Sequence, residues 1–94
     1  MTQEELSELQ HIKELFKKLQ ELQYSTIGDP ALSMELSTGG YLHSINVYVH
    51  VSGEYFEKNM LEIFTLAVFL PSKENKDACN ACIAFVNAHR TLRA

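Results

Sequence analysis

The sequence predicts an α+β fold: a helix, a three-stranded antiparallel meander and a second helix (α-β-β-β-α), stacked in two layers. Three observations carry it. Apolar residues recur every three or four positions near the start, and a breaker-free apolar stretch lies near the end. Between them, hydrophobic and polar residues alternate over two runs, and a third run is apolar on both faces.

The first helix is expected over 3–23. Thr2 followed by Glu5 is a capping-box pattern, in which hydroxyl and carboxylate each satisfy a free backbone amide. Leu6, Leu9, Ile12, Leu15, Phe16, Leu19 and Leu22 then form one apolar stripe. Glu14 with Lys18, and Lys17 with Glu21, stand four apart on the wet side. Gly28, Asp29 and Pro30 punctuate the chain before the first strand, 31–38. There Leu32, Met34 and Leu36 alternate with Ser33, Glu35 and Ser37.

Thr38, Gly39 and Gly40 supply a turn, since glycine accepts positive φ. The second strand, 42–52, sets Ile45, Val47, Val49 and Val51 against Ser44, Asn46, Tyr48, His50 and Ser52. Residues 53–59 are polar and read as a hairpin loop. The third strand, 60–70, has Leu61, Ile63, Thr65, Ala67 and Phe69 on one face. Met60, Glu62, Phe64, Leu66, Val68 and Leu70 occupy the other. A strand greasy on both sides wants cover on both. Pro71 stops it, Ser72 is placed to cap, and 73–91 reads as the second helix, buried over much of its girth.

Ninety-four residues make one small domain with one core. A hydrophobic fraction of 46% excludes a disordered acidic chain. Twelve acidic against eight basic side chains argue against a phosphate-backbone partner, which needs clustered cations. No signal-like leader opens the sequence, and its longest apolar run falls short of a helical membrane span, so a cytoplasmic location is expected.

Motifs that would carry chemistry are sparse. Cys79 and Cys82 have C-x-x-C spacing, but they lie well inside the second helix among alanines, and zinc would need two more ligands. Buried apolar thiols are the expectation, with no metal and no cofactor. His11, His43, His50 and His89 fall in no metal-binding spacing. Glu54, Glu57 and Glu62 gather near the second hairpin, yet acid–base catalysis needs a desolvating pocket to separate two carboxyl pKa values. No catalytic residue is assigned, and an enzyme is not expected.

The candidate surface is the sheet face carrying Tyr48 and His50, expected to continue into Phe64, Leu66 and Val68 and to be rimmed by Ser44, Asn46 and Glu62. An apolar centre with a polar border suits an interface. The reading that follows is a non-enzymatic protein-interaction domain, self-associating as a homodimer or binding another protein or peptide, with Tyr48 and Phe64 as anchors. A helix on each sheet face would instead leave no patch.

The element order is similar to that of double-stranded-RNA-binding domains, and Ser72-Lys73 before an alanine-rich last helix loosely resembles theirs. That resemblance implies an alternative, duplex RNA or DNA binding through Lys73, Lys76, Arg90 and Arg93. The basic cluster of such domains is diluted here by Glu74 and Asp77. Small acidic chaperones of secretion substrates also open with helix, three strands and helix, which implies a second alternative, a chaperone-like adaptor. No motif secures membership of either family.

Overall fold

The computed structural model describes residues 2–39 and 43–92. It has the expected α-β-β-β-α order: α1 (Gln3–Ser25), β1 (Leu32–Gly39), β2 (Ser44–Val51), β3 (Met60–Ala67) and α2 (Ser72–His89). The sheet is an antiparallel meander in the order β1-β2-β3. Gly40, Leu42 and Arg93, named above for the turn, the second strand and the basic set, lie outside the described residues.

The capping box forms. The Thr2 side chain accepts from the Glu5 N–H at 3.1 Å, and the Glu5 carboxylate accepts from the Thr2 N–H at 3.3 Å. From there Ile12, Leu15, Leu19 and Leu22 turn one stripe of α1 into the core. The helix runs two residues past the expected end, because Thr26 caps it: its hydroxyl and its N–H both donate to the Gln23 carbonyl. Among the described residues the ion pair that closes is Lys73 with Asp77 at 3.3 Å; Glu14–Lys18 and Lys17–Glu21 stay open.

Both helices cover one face of the sheet. Leu32 and Met34 of β1, Ile45, Val47, Val49 and Val51 of β2 and Leu66 of β3 meet α1's stripe and Cys79, Cys82 and Val86 of α2 there. Burial of these side chains, each worth roughly 1.5–3 kcal/mol, is the main stabilising contribution.

Ser72 does not cap α2. It is the first helical residue, Pro71 stands at the N-cap without a side-chain bond, and the Ser72 hydroxyl donates to the Glu8 carboxylate on α1. At the other end, Asp29 ties the C-terminal segment to the turn that enters β1. Burial raises its pKa, but the Leu92 N–H, Thr91 hydroxyl, Ala31 N–H and Thr91 N–H all donate to the carboxylate and pull it down to about 2.

Candidate interaction surface

Among the described residues no element covers the second face of the sheet. Register decides which side chains stand on it, because a strand's side chains alternate. Tyr48 pairs with Glu35 on one side and Ile63 on the other, His50 with Ser33 and Leu61, and Asn46 with Ser37 and Thr65. These three rows make up the open face. Its β3 end is apolar: Leu61 and Ile63 are 49% and 54% exposed, and Tyr48 beside them is half-buried. Its β1 end is polar. The Thr65 hydroxyl donates to the Asn46 side-chain oxygen at 2.7 Å, closing one rim.

This arrangement corrects the expected surface. Tyr48, His50, Ser44 and Asn46 lie together on β2, but Phe64, Leu66 and Val68 do not continue them. Phe64 stands opposite Val47 and Leu66 opposite Ile45, so both point to the helix layer. Leu66 is fully buried, and Phe64 packs on Phe85 of α2 with ring centroids 6.0 Å apart. Val68 lies past the strand, half-buried against the core. Glu62 sits opposite Val49 on the helix side and remains exposed at the edge. The expected continuity needed even-numbered residues of β2 to face even-numbered residues of β3; the register pairs even with odd.

Leu61 and Ile63 are therefore the residues that sequence reasoning missed. A usable signal was present: β2's β-branched face packs best under the bulkier of the two β3 sets, Phe64 with Leu66, which leaves Leu61 and Ile63 outside.

The backbone of β3 adds a second feature. In an antiparallel pair, alternate residues direct both N–H and C=O to the neighbour and the others direct both away. The Val68 N–H donates to the His43 carbonyl beyond β2 at 3.2 Å, so the even-numbered residues face β2. Leu61, Ile63, Thr65 and Ala67 face outward. Ala67 is closed by Asn75 of α2, which is fully buried: its side-chain oxygen accepts from the Ala67 N–H at 3.0 Å, and its amide donates to the carbonyls of Ala67 and Leu70 at 3.0 and 3.2 Å. This clasp also ends β3 at Ala67 instead of Leu70, since it holds the chain in the turn where the Leu70 N–H returns to the Ala67 carbonyl. Leu61, Ile63 and Thr65 keep their outward groups at an exposed edge.

The other candidates are dispersed. Cys79 and Cys82 have no solvent exposure; burial pushes the Cys79 thiol up and that of Cys82 to about 12, which suppresses thiolate chemistry. Among the described residues no three of His, Cys, Asp and Glu stand close enough to hold a metal ion. His89 is held between Phe56 and Phe85, at centroid distances of 5.0 and 4.4 Å, with its Nδ1 2.8 Å from the Phe85 carbonyl. Glu54, Glu57 and Glu62 are all exposed. A recess of about 480 Å³ lined by Gln23, Tyr24, Asp29 and Ser33 is shallow, and its one carboxylate is already saturated by backbone donors.

Among the described residues the basic side chains at the start of α2, Lys73 and Lys76, do not converge with Arg90. Lys73 is paired with Asp77 at the start of α2. Arg90, past its far end, donates to the Ser25 carbonyl and hydroxyl at 3.0 Å each and to Asn87 at 3.2 Å, capping the end of α1. No helix among the described residues is long and apolar enough to cross a membrane. Compared with protein-family models, with curated proteins and with solved structures, the chain matches none.

Proposed function

We propose that this chain is a non-enzymatic interaction domain that homodimerises through the β3 side of its open sheet face. The observation that carries this reading is the coincidence of two unsatisfied features on the same residues. Leu61 and Ile63 expose about half of their surface beside Tyr48, and on this edge strand their own outward backbone groups bond to nothing among the described residues. Natural edge strands are blunted by lysine, proline, bulges or a covering element. β3 reads MLEIFTLA, with a single charge at Glu62 and no proline.

The energetic argument is burial. Covering the exposed halves of Leu61 and Ile63 in each of two copies contributes on the order of 1 kcal/mol per side chain. Association entropy offsets much of that sum, so the expected dimer is weak and concentration-dependent. His50 and Thr65 form the polar rim, and neither a metal nor a cofactor enters the reading. Duplex nucleic acid loses support, because Arg90 is engaged at the end of α1 and Lys73 stands beside the opposite charge of Asp77.

Sedimentation equilibrium of the chain and of Ile63→Lys tests the proposal. The wild-type mass should climb toward twice that of one chain as concentration rises. The variant should stay single with an unchanged circular dichroism spectrum, since residue 63 faces solvent. A wild-type chain that remains single up to millimolar concentration overturns it.

A further inference from the structure

Resting on that self-association, we infer that two copies join edge to edge, β3 against antiparallel β3 of the second copy, with Ile63 of each copy on the two-fold axis. The product is one continuous sheet in the order β1-β2-β3-β3-β2-β1, with all four helices on one side.

Edge pairing is favoured over stacking of the two open faces by the polarity across the sheet. The apolar surface is confined to β3 and Tyr48, whereas Ser33, Glu35 and Ser37 occupy the β1 end. Stacked faces would bury Glu35 on a face that carries no lysine or arginine, and an unpaired buried carboxylate is costly. Edge pairing leaves that end wet and joins the apolar ends into one strip. It also satisfies the outward N–H and C=O groups, which stacking would not. Pairing β3 with itself closes about a two-fold axis; pairing β3 with a foreign β1 would propagate without end.

The register follows from three restrictions. Hydrogen-bonded pairs must join outward-facing residues, so odd-numbered positions meet odd-numbered positions. With Ile63 opposite Ile63 of the second copy, Leu61 meets the second copy's Thr65 and all free outward groups of Leu61, Ile63 and Thr65 find partners. Sliding one step toward the C-terminus sets Leu61 against the second copy's Ala67, whose N–H and C=O are already held by Asn75. Sliding one step the other way sets Glu62 directly opposite Glu62 of the second copy, in the closely spaced non-hydrogen-bonded position where like charges repel. A further step leaves Thr65 outside the ladder. Asn75 and Glu62 thus bracket the one register that pairs the whole free edge.

Nuclear magnetic resonance on a dimer mixed from isotope-labelled and unlabelled chains tests this directly. In the inferred register, Glu62 of one copy and Phe64 of the other form a non-hydrogen-bonded pair, so their Hα atoms should give a cross-peak between copies. The amides of Leu61, Ile63 and Thr65 should also exchange about tenfold more slowly, or slower still, in concentrated than in dilute samples. Inter-copy contacts among Tyr48 and Leu61 side chains without the Glu62–Phe64 peak would show stacked faces. That result, or peaks defining another register, overturns the inference while self-association stands. A chain that stays single when concentrated removes both.

Discussion

The two edges of the sheet are built from strands of equal length, eight residues each, and they are finished differently. On β1 the outward groups belong to Leu32, Met34, Leu36 and Thr38, because Ala31 and the odd-numbered residues face β2. The side chains of Leu32, Met34 and Leu36 point into the helix layer, so α1 lies within reach of that edge, and the Gln23 amide donates to the Met34 carbonyl at 3.0 Å. On β3 the outward groups belong to residues whose side chains point away from the helices. Among the described residues it is at Ala67, beside the first turn of α2, that a helical side chain reaches the edge. In any strand the hydrogen-bonding direction and the side-chain face alternate together. The sheet edge that shares its phase with the core is the edge a helix can close; the other stays open.

The largest effect that separates the two faces of β3 is expected at neighbouring residues. Phe64→Ala removes a ring packed on Phe85 and should cost about 3 kcal/mol, toward the low end for a large-to-small change because the ring is half-buried. Ile63→Ala, one residue away, should stay within about 1 kcal/mol of the parent at concentrations where the chain is single. Urea denaturation measures both. Equal costs would mean that β3 does not turn Phe64 inward and Ile63 outward, and the open edge would then be wrongly placed.

Asn75→Ala comes next and acts on the one closed position of β3. It leaves the buried Ala67 N–H without a partner and the Ala67 carbonyl with the Leu70 N–H alone, and a buried group left unsatisfied costs about 1–3 kcal/mol. An overall loss of about 2 kcal/mol is expected by denaturant titration, together with faster exchange of the Ala67 amide. If stability falls while that amide keeps its protection, Asn75 supports the core in some other way and does not clasp the edge. With the clasp gone, a register one step toward the C-terminus also becomes available to a self-paired edge.

Periodicity made the elements legible and left the surface ambiguous. The 3.6-residue stripe of α1 enters the core from Ile12 to Leu22, while Leu6 at its start is exposed, and the alternation of β1 and β2 places their core residues as expected. β3 was different because both of its alternating sets are apolar, so pattern alone does not say which set is inward. That choice belongs to the register, and the register is set by the 52–59 loop. There the Gly53 N–H donates to the Asn59 side chain at 2.6 Å, and a Cβ on Gly53 would come within 2.8 Å of the Asn59 nitrogen; Glu57 adopts φ 57°. A loop whose backbone geometry carries the information has no hydropathy signature. Gln23 and Asn75 were equally silent, since a polar residue on a helix reads as solvated until the strand it reaches is in place.

The smallest expected effect lies on the closed edge. Gln23→Ala frees the Met34 carbonyl, which is the only group the glutamine amide engages on β1 among the described residues. A single part-buried hydrogen bond contributes about 1 kcal/mol, and water can replace the donor at an edge, so a loss of about 0.5–1 kcal/mol is expected. The oligomeric state should not change, because the side chains flanking the freed carbonyl are Leu32, Met34 and Leu36, already turned into the core, and the open-face residues between them are Ser33, Glu35 and Ser37. Sedimentation of this variant beside Ile63→Lys measures that contrast. If uncovering β1 produced new association, free backbone groups alone would be enough to recruit a second chain, and the apolar side chains of β3 would lose their role in choosing the edge.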